Sequence, residues 1–343
     1  VDGLEVRTLT DGGQPAEETA RALADFVSAA ERTLEIAIYD FHLPPPLGEI
    51  VHGALAAAVE RGVTVRLAYN VDHPKKGPPP PLTQPELVES LPFPTAPIPG
   101  VPDLMHHKYV VRDAGAVWTG STNWTADSWT REENVIVTLE SPAVAARYRA
   151  DFEQLWTTRQ VSHTGRVDTA PLDGARAWFC PGHGSKLAHR IAKAIGSARR
   201  RIRIASPVIS SAPILGTLAQ VASDGKVDLA GVVDATQVDE VIVQWRENQN
   251  SDWKEPLLRA ALTRAPFTGK PSTPYGPGTV HDYMHAKVTV ADDRVFVGSF
   301  NLSHSGELNA ENVLELDDPD LADRLAAFVD AVRGRYPSIP LPS

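Results

Sequence analysis

The chain has 343 residues, of which 42% are hydrophobic and 22% charged, and it carries a formal net charge of −10 at pH 7. That length suits two cores of roughly 150 to 170 residues each, and no apolar run approaches the roughly 18 to 20 residues of a membrane span. The acidic balance opposes wrapping nucleic acid by bulk electrostatics, which rests on many Lys and Arg contacts to phosphates, although a locally basic groove stays open. Cys180 is the only cysteine, so an intramolecular disulfide and a multi-cysteine zinc site are excluded. The N-terminus, Val-Asp-Gly-Leu-Glu-Val, has no basic or apolar leader pattern and no initiator Met. A soluble protein is expected, either cytoplasmic or secreted with its signal removed.

Along the chain the same order of elements is read twice. Ala20 to Tyr69 gives an amphipathic helix (Leu23, Phe26, Val27, Ala30), a strand at Leu34–Tyr39, a helix over Ile50–Arg61, then Gly62 and a strand at Val63–Ala68. Leu187 to Val233 repeats it. There a helix carries Ile191, Ala194 and Ile195, a strand covers Arg201–Ala205, a helix spans Ile214–Ala222, and Gly225 precedes a strand at Val227–Val233. Alternation of this kind predicts an α/β protein: two pseudo-symmetric α/β/α sandwich lobes, residues 1–165 and 166–343, with mixed sheets and helices on both faces.

Between these units and the end of the first half lies Asp72 to Pro102, which holds 11 of the 29 prolines. Such density argues against helix or central strand. It reads as a surface insertion or as a rim over the site, where Leu82, Leu87, Leu91, Phe93 and Ile98 are positioned to touch acyl chains.

The chemistry is carried by two strings. His106-His107-Lys108 runs four residues on to Asp113, and His285-Ala286-Lys287 four residues on to Asp292. Each is followed by a Gly-Ser turn and an Asn: Ser121 and Asn123 in the first half, Ser299 and Asn301 in the second. Ten residues after each Asn stands a carboxylate next to an Asn, Glu133-Asn134 and Glu311-Asn312. One His-x-Lys-x4-Asp string is only suggestive, but two with the same trailing residues are decisive. A His and a Lys two apart at the start of a strand pattern project from one face and meet a phosphate together.

These strings resemble the paired HKD motifs of the phospholipase D superfamily over nearly the whole chain. Trp178-Phe-Cys-Pro181 is similar to the Phe-Ser-Pro that often opens a half in that family, with Cys in place of Ser. The first motif looks like the endonuclease and mitochondrial cardiolipin-hydrolase branch, the second like the branch containing bacterial cardiolipin synthases. The resemblance implies catalytic roles for His106, Lys108, Asn123, Glu133, His285, Lys287, Asn301 and Glu311. One imidazole attacks phosphorus to form a phosphohistidine, with a slight lean to His106, while the other handles the leaving-group proton. Lys and Asn stabilise the nonbridging oxygens, so no cofactor and no metal is implied. Glu133 and Glu311 are expected to hold the far ring nitrogen of each His. Asp113 and Asp292 are expected to be structural, closing hydrogen bonds at the domain junction, with Ser121 and Ser299 as structural members of the motif.

Other features weigh less. His281 and His285 have a helical metal-ligand spacing, but strand-like flanks oppose a zinc site. Arg199, Arg200, Arg201 and Arg203 either steer an anion or form a solvated face. Trp245 and Trp253 line the groove or anchor a loop. The leading expectation is a phosphodiesterase cleaving a phospholipid on the head-group side, or transferring it to an alcohol, with peripheral membrane contact; the alternative is a metal-independent endonuclease on DNA or RNA. Both half-sites sit in one chain, so a monomer is expected.

Overall fold

A computed structural model describes residues 3–73, 88–249, 251–274 and 279–341. Thirteen residues starting the first helical unit show how the pattern becomes structure. Helix α1 (Ala16–Ser28) opens after Pro15 with Glu17 and Glu18 in its first turn, where carboxylates complement the helix dipole. It buries Ala16, Thr19, Ala20, Leu23, Phe26 and Val27, a spacing of three and four that makes one stripe. Leu23 and Val27 are fully buried, worth about 1.5 to 3 kcal/mol each.

The other elements of the first lobe are β1 (Leu4–Leu9), β2 (Thr33–Ile38), β3 (Phe41–His42), α2 (Leu47–Glu60), β4 (Thr64–Asn70), β5 (Thr95–Ile98), β6 (Lys108–Arg112), β7 (Ala116–Gly120), β8 (Trp124–Thr125), α3 (Ala126–Thr130), β9 (Asn134–Glu140) and α4 (Pro142–Thr158). The second lobe has β10 (Ala175–Phe179), α5 (Gly184–Ser197), β11 (Arg201–Ala205), α6 (Ala212–Asp224), β12 (Asp228–Asp234), α7 (Ala235–Asn248), α8 (Lys254–Arg264), β13 (Phe267–Lys270), β14 (Val288–Ala291), β15 (Arg294–Gly298), α9 (His304–Leu308), β16 (Asn312–Asp317) and α10 (Pro319–Arg333).

Two mixed seven-stranded sheets result, ordered β1-β9-β7-β6-β2-β4-β5 and β10-β16-β15-β14-β11-β12-β13. In each, a parallel trio joins an antiparallel meander where β2 meets β6 (Ile38 opposite Lys108) and where β11 meets β14 (Ala205 opposite Val288). The strand order reverses there, and a crevice at the carboxyl ends of such strands is where open α/β sheets bind ligands. Lys108 and Lys287 stand at those two points.

Three cores hold the layers. One lies under α1 and α2 and a second under α5, α6 and α8. The third is shared: Tyr109, Val137, Tyr148 and Phe152 of the first lobe pack with Phe179, Val290, Leu314 and Val329 of the second, so α4 and α10 are enclosed between the sheets. The α/β/α layering read from the sequence is thus present, with the inner helix layers buried between the two sheets.

Residues 88–102 of the proline-rich stretch are described. Thr95–Ile98 forms an edge strand, the one place in a sheet where Pro97 leaves no ladder bond unmade. Ile98 is fully buried and so cannot touch acyl chains as expected, whereas Leu91 and Phe93 are partly buried and pack against the first core. Leu82 and Leu87 lie outside the described residues. No described helix is long and apolar enough to cross a membrane.

Candidate active site

The two lobes exchange backbone at the site. The His106 N–H donates to the Ala310 carbonyl at 2.9 Å, and the His285 N–H to the Glu133 carbonyl at 3.2 Å. Each imidazole is thereby placed against residues of the other lobe. Nδ1 of His106 lies 2.8 and 2.9 Å from the two carboxylate oxygens of Glu311. Glu311 is held in turn by the Ser299 hydroxyl at 2.6 Å, whose oxygen accepts from the Asn312 N–H. An Nδ1 contact of this kind fixes the tautomer and leaves Nε2 to face the reactant.

On the other side the arrangement departs from expectation. His285 Nδ1 faces the amide oxygen of Asn134 at 3.1 Å and the carboxylate of Glu132 at 3.4 Å. Glu133 does not reach it. Its side chain instead accepts from Lys270 Nζ at 3.0 Å, from the Tyr336 hydroxyl and from the Asp11 N–H. The cause is register: Glu133 stands where Ala310 stands in the second lobe, since their carbonyls accept from the two histidine N–H groups, and Asn134 therefore takes the place of Glu311. Ser121 bonds Asn134 across 13 residues, whereas Ser299 bonds Glu311 across 12. A one-residue difference sends a strand side chain to the opposite face. The Asn134 amide is oriented by its donors, since Nδ2 gives bonds to the Ser128 carbonyl and to Glu132, both at 3.0 Å.

The ammonium groups complete the site. Lys108 Nζ donates to its own lobe's His106 carbonyl at 2.8 Å, and Lys287 Nζ to the His285 carbonyl at 2.6 Å. Both are nearly inaccessible. Burial, with its counterweight in Glu311, Asp40 and Glu132, brings Lys108 down to about 7, and burial plus the Lys108 charge holds Lys287 well below the usual lysine range. Both imidazoles are held well below the ordinary histidine value, first by burial and then by both ammonium groups. Glu311 is pushed up to about 7 by burial. Two buried ammonium groups beside two imidazoles, each pushed towards its neutral form by burial, would be drawn back to the charged form by an entering oxyanion. Asn123 and Asn301 each bury an amide oxygen with no hydrogen-bond partner among the described residues.

Several side chains at the site were not legible beforehand. The Tyr39 ring stands edge-on to His106, with centroids 4.9 Å apart, and under Lys108 Nζ at 4.9 Å. Asp40 is buried, with Oδ1 unpartnered among the described residues, and burial pushes it up to about 8. Its counterpart in the second lobe is Val208, as the pairing of Phe41 with Trp124 and of Ile209 with Leu302 shows. His107 ties the lobes through Asn312 of the second lobe at 3.3 Å and is held within its own lobe by Asp151 at 3.0 Å.

The remaining expectations resolve as follows. Asp113 and Asp292 do not close the junction between lobes. Each accepts backbone N–H bonds within its own lobe, Asp113 from Glu31, Arg32 and Thr33 and Asp292 from Arg199, Arg200 and Arg201, all at 2.7 to 3.1 Å. They clamp the entry of β2 and β11, the ends opposite the site. The arginine cluster belongs to that same far end, and three of its members form ion pairs there, Arg200 with Asp293, Arg201 with Asp323, and Arg203 with Asp228 and Asp330. Trp245 is buried in the second core while Trp253 is exposed. His281 and His285 address opposite oxygens of Glu132, at 3.5 and 3.4 Å, and not a common point where a zinc would sit.

Two equivalent α/β lobes that pool two imidazoles and two ammonium groups define an enzyme of the phosphodiesterase and phosphatidyltransferase class. The family described as "Cardiolipin synthase, PLD-like domain" matches residues 23–156 and again 191–332, and the chain belongs to it, within the phospholipase D superfamily. Over 53 residues, 15% of this chain, it is 43% identical to a mitochondrial cardiolipin hydrolase of Xenopus laevis, spanning 25% of that protein. The chain thus matches about a quarter of the length of that relative. Phosphatidylserine synthase from Haemophilus influenzae aligns with a TM-score of 0.61 at 12% identity, covering 97% of this chain and 86% of that one. Polyphosphate kinase from Porphyromonas gingivalis aligns at 0.59 and 11% identity, covering 95% and 50%. At such identities the likeness is one of fold.

Proposed function

We propose that the protein cleaves a phospholipid phosphodiester on the head-group side through a covalent phosphohistidine, releasing phosphatidate to water or passing the phosphatidyl group to an alcohol. The observation that carries this reading is the pair of buried imidazoles, each held at Nδ1 by acceptors of the opposite lobe, beside two buried ammonium groups.

In this reading His106 is the nucleophile. Its two-oxygen hold by Glu311 fixes the ring and balances the positive charge the ring acquires when Nε2 bonds phosphorus. As that bond forms the P–O bond to the head group breaks, and His285 Nε2 gives its proton to the departing oxygen. Water or alcohol then attacks phosphorus from the vacated side, loses a proton to His285, and releases His106. Lys108, Lys287, Asn123 and Asn301 stabilise the nonbridging oxygens, a charge role filled by metal ions in other phosphoryl-transfer enzymes. The lobes divide near 165, one chain holds both half-sites, and a monomer suffices.

A lipid substrate is supported by the net charge of −10, by an arginine cluster that lies away from the site, and by the names of the cardiolipin hydrolase and phosphatidylserine synthase relatives. The test is head-group release from mixed phospholipid vesicles by EDTA-treated protein, with His285→Asn as the blank. Release by the wild type alone is expected. Absence of release from folded protein, with cleavage of single-stranded or duplex DNA, would overturn the lipid reading in favour of a nuclease.

A further inference from the structure

The two catalytic imidazoles are backed differently. Glu311, behind His106, ends in neutral donors, Ser299 at 2.6 Å and Asn309 at 3.4 Å, and the nearby His107 turns its ring nitrogens to Asn312 and Asp151. Behind His285 the charged groups continue outward. Glu132 presents Oε2 to His285 Nδ1 at 3.4 Å and Oε1 to His281 Nε2 at 3.5 Å, and His281 Nδ1 lies 3.2 Å from Asp127. Side-chain exposure rises outward along this row, from 1% at Glu132 to 13% at His281 and 29% at Asp127. Among the described residues no such row stands behind His106.

We infer that His281 and Asp127 are positioning residues that hold the Glu132 carboxylate, and through it His285, making His285 the imidazole that gives and takes the proton during turnover. This rests on the reading of His285 as the proton-transfer group. The physical need is plain: Asn134, the nearer partner of His285, has a neutral amide oxygen and does little to balance an imidazolium, so the balancing charge falls to Glu132. A carboxylate so deeply buried is driven towards its neutral form by desolvation, and the facing His281 is the largest influence in the opposite direction, ahead of the Ser128 and Asn134 hydrogen bonds and the Lys287 charge. Other charged and titratable groups stand around His281. Arg131 reaches Asp282 at 3.7 Å, the Tyr283 ring centroid is 5.3 Å away, and His42 on β3 acts on Asp127. Lys108 and Asp40 face Glu132 from the site itself.

The test uses bis(p-nitrophenyl) phosphate, so that it does not depend on the lipid assignment. Steady-state kcat and KM are measured for His281→Ala, His281→Gln, Asp127→Asn, Glu132→Gln and the double variant His281→Ala/Glu132→Gln, with thermal midpoints as the check on folding. His281→Ala is expected to lower kcat about 10-fold, the scale of an orienting partner's loss, with KM nearly unchanged. Asp127→Asn should act in the same direction and less, and His281→Gln should restore only part of the loss. The double variant should be no slower than Glu132→Gln alone. Wild-type kcat in folded His281→Ala and His281→Gln, or losses that multiply in the double variant, would overturn the relay. Turnover by His285→Asn would overturn the role of His285 itself, a separate failure visible in the same assay.

Discussion

Nδ1 of His285 faces the amide oxygen of Asn134 at 3.1 Å, at the position where the other lobe sets the Glu311 carboxylate against His106. The pseudo-twofold that relates the lobes therefore stops short of the chemistry: one histidine is held by a carboxylate, the other by an amide with a carboxylate behind it. Asn134→Asp would restore the missing symmetry, and we expect it to be harmful. It removes the donor to Ser128 and brings a second carboxyl to the oxygen of Glu132 that Nδ2 now reaches at 3.0 Å. Loss of a buried donor costs about 1 to 3 kcal/mol. The crowded carboxyls bind protons more tightly folded than unfolded, so the loss should be smallest at pH 5 and grow towards pH 8. Urea unfolding of the variant and wild type at both pH values measures it.

Glu133 and its neighbour separate structure from chemistry. The Glu133 carboxylate is fully buried and meets Lys270, itself 3% exposed, with Tyr336 and the Asp11 backbone as further partners. Glu133→Gln should cost about 1.5 to 3 kcal/mol by weakening the charged hydrogen bond to a buried ammonium that keeps Asp11 at 3.3 Å as its other ion partner, with kcat close to wild type in the folded protein. Glu132→Gln should do the reverse, lowering kcat with a smaller effect on stability. Paired unfolding curves and turnover assays distinguish them.

Much of this site is legible in the sequence. The doubled His-x-Lys string, the Gly-Ser-x-Asn turns and the alternating helices and strands give two lobes and a shared centre, because those features are local. The partner of His285 is not, and the reason is specific: the ten-residue spacing from Asn to Glu-Asn matches in both halves, yet the first lobe carries one more residue before its last paired strand, so the matched Glu133 points away. Nor does a sequence show that Ile98 would enter an edge strand, or that Arg200, Arg201 and Arg203 would be spent on aspartates of the β14–β15 turn, α10 and β12. Those depend on what packs across the sheets.

The buried cations make a prediction about protons. With Lys108 brought down to about 7, and Lys287, His106 and His285 each held well below their ordinary values by burial and by the neighbouring ammonium groups, the site holds its protons less tightly than its residue types suggest. An entering oxyanion raises every one of these values, and raises Glu311 too, so binding must take up protons. Titration calorimetry with inorganic phosphate at pH 7.5, in buffers of different ionisation enthalpy, should show net uptake. No linkage, or release, would contradict the electrostatic picture.

The most direct test of the shared site is to trap the covalent intermediate. His285→Asn and His106→Asn are each mixed with bis(p-nitrophenyl) phosphate, quenched at alkaline pH where phosphohistidine survives, and digested for mass spectrometry. The account predicts a p-nitrophenyl phosphoryl adduct on the peptide carrying His106 in the first variant and none on either histidine in the second. An adduct on His285 in the second variant, or multiple turnover in both without any adduct, would contradict it.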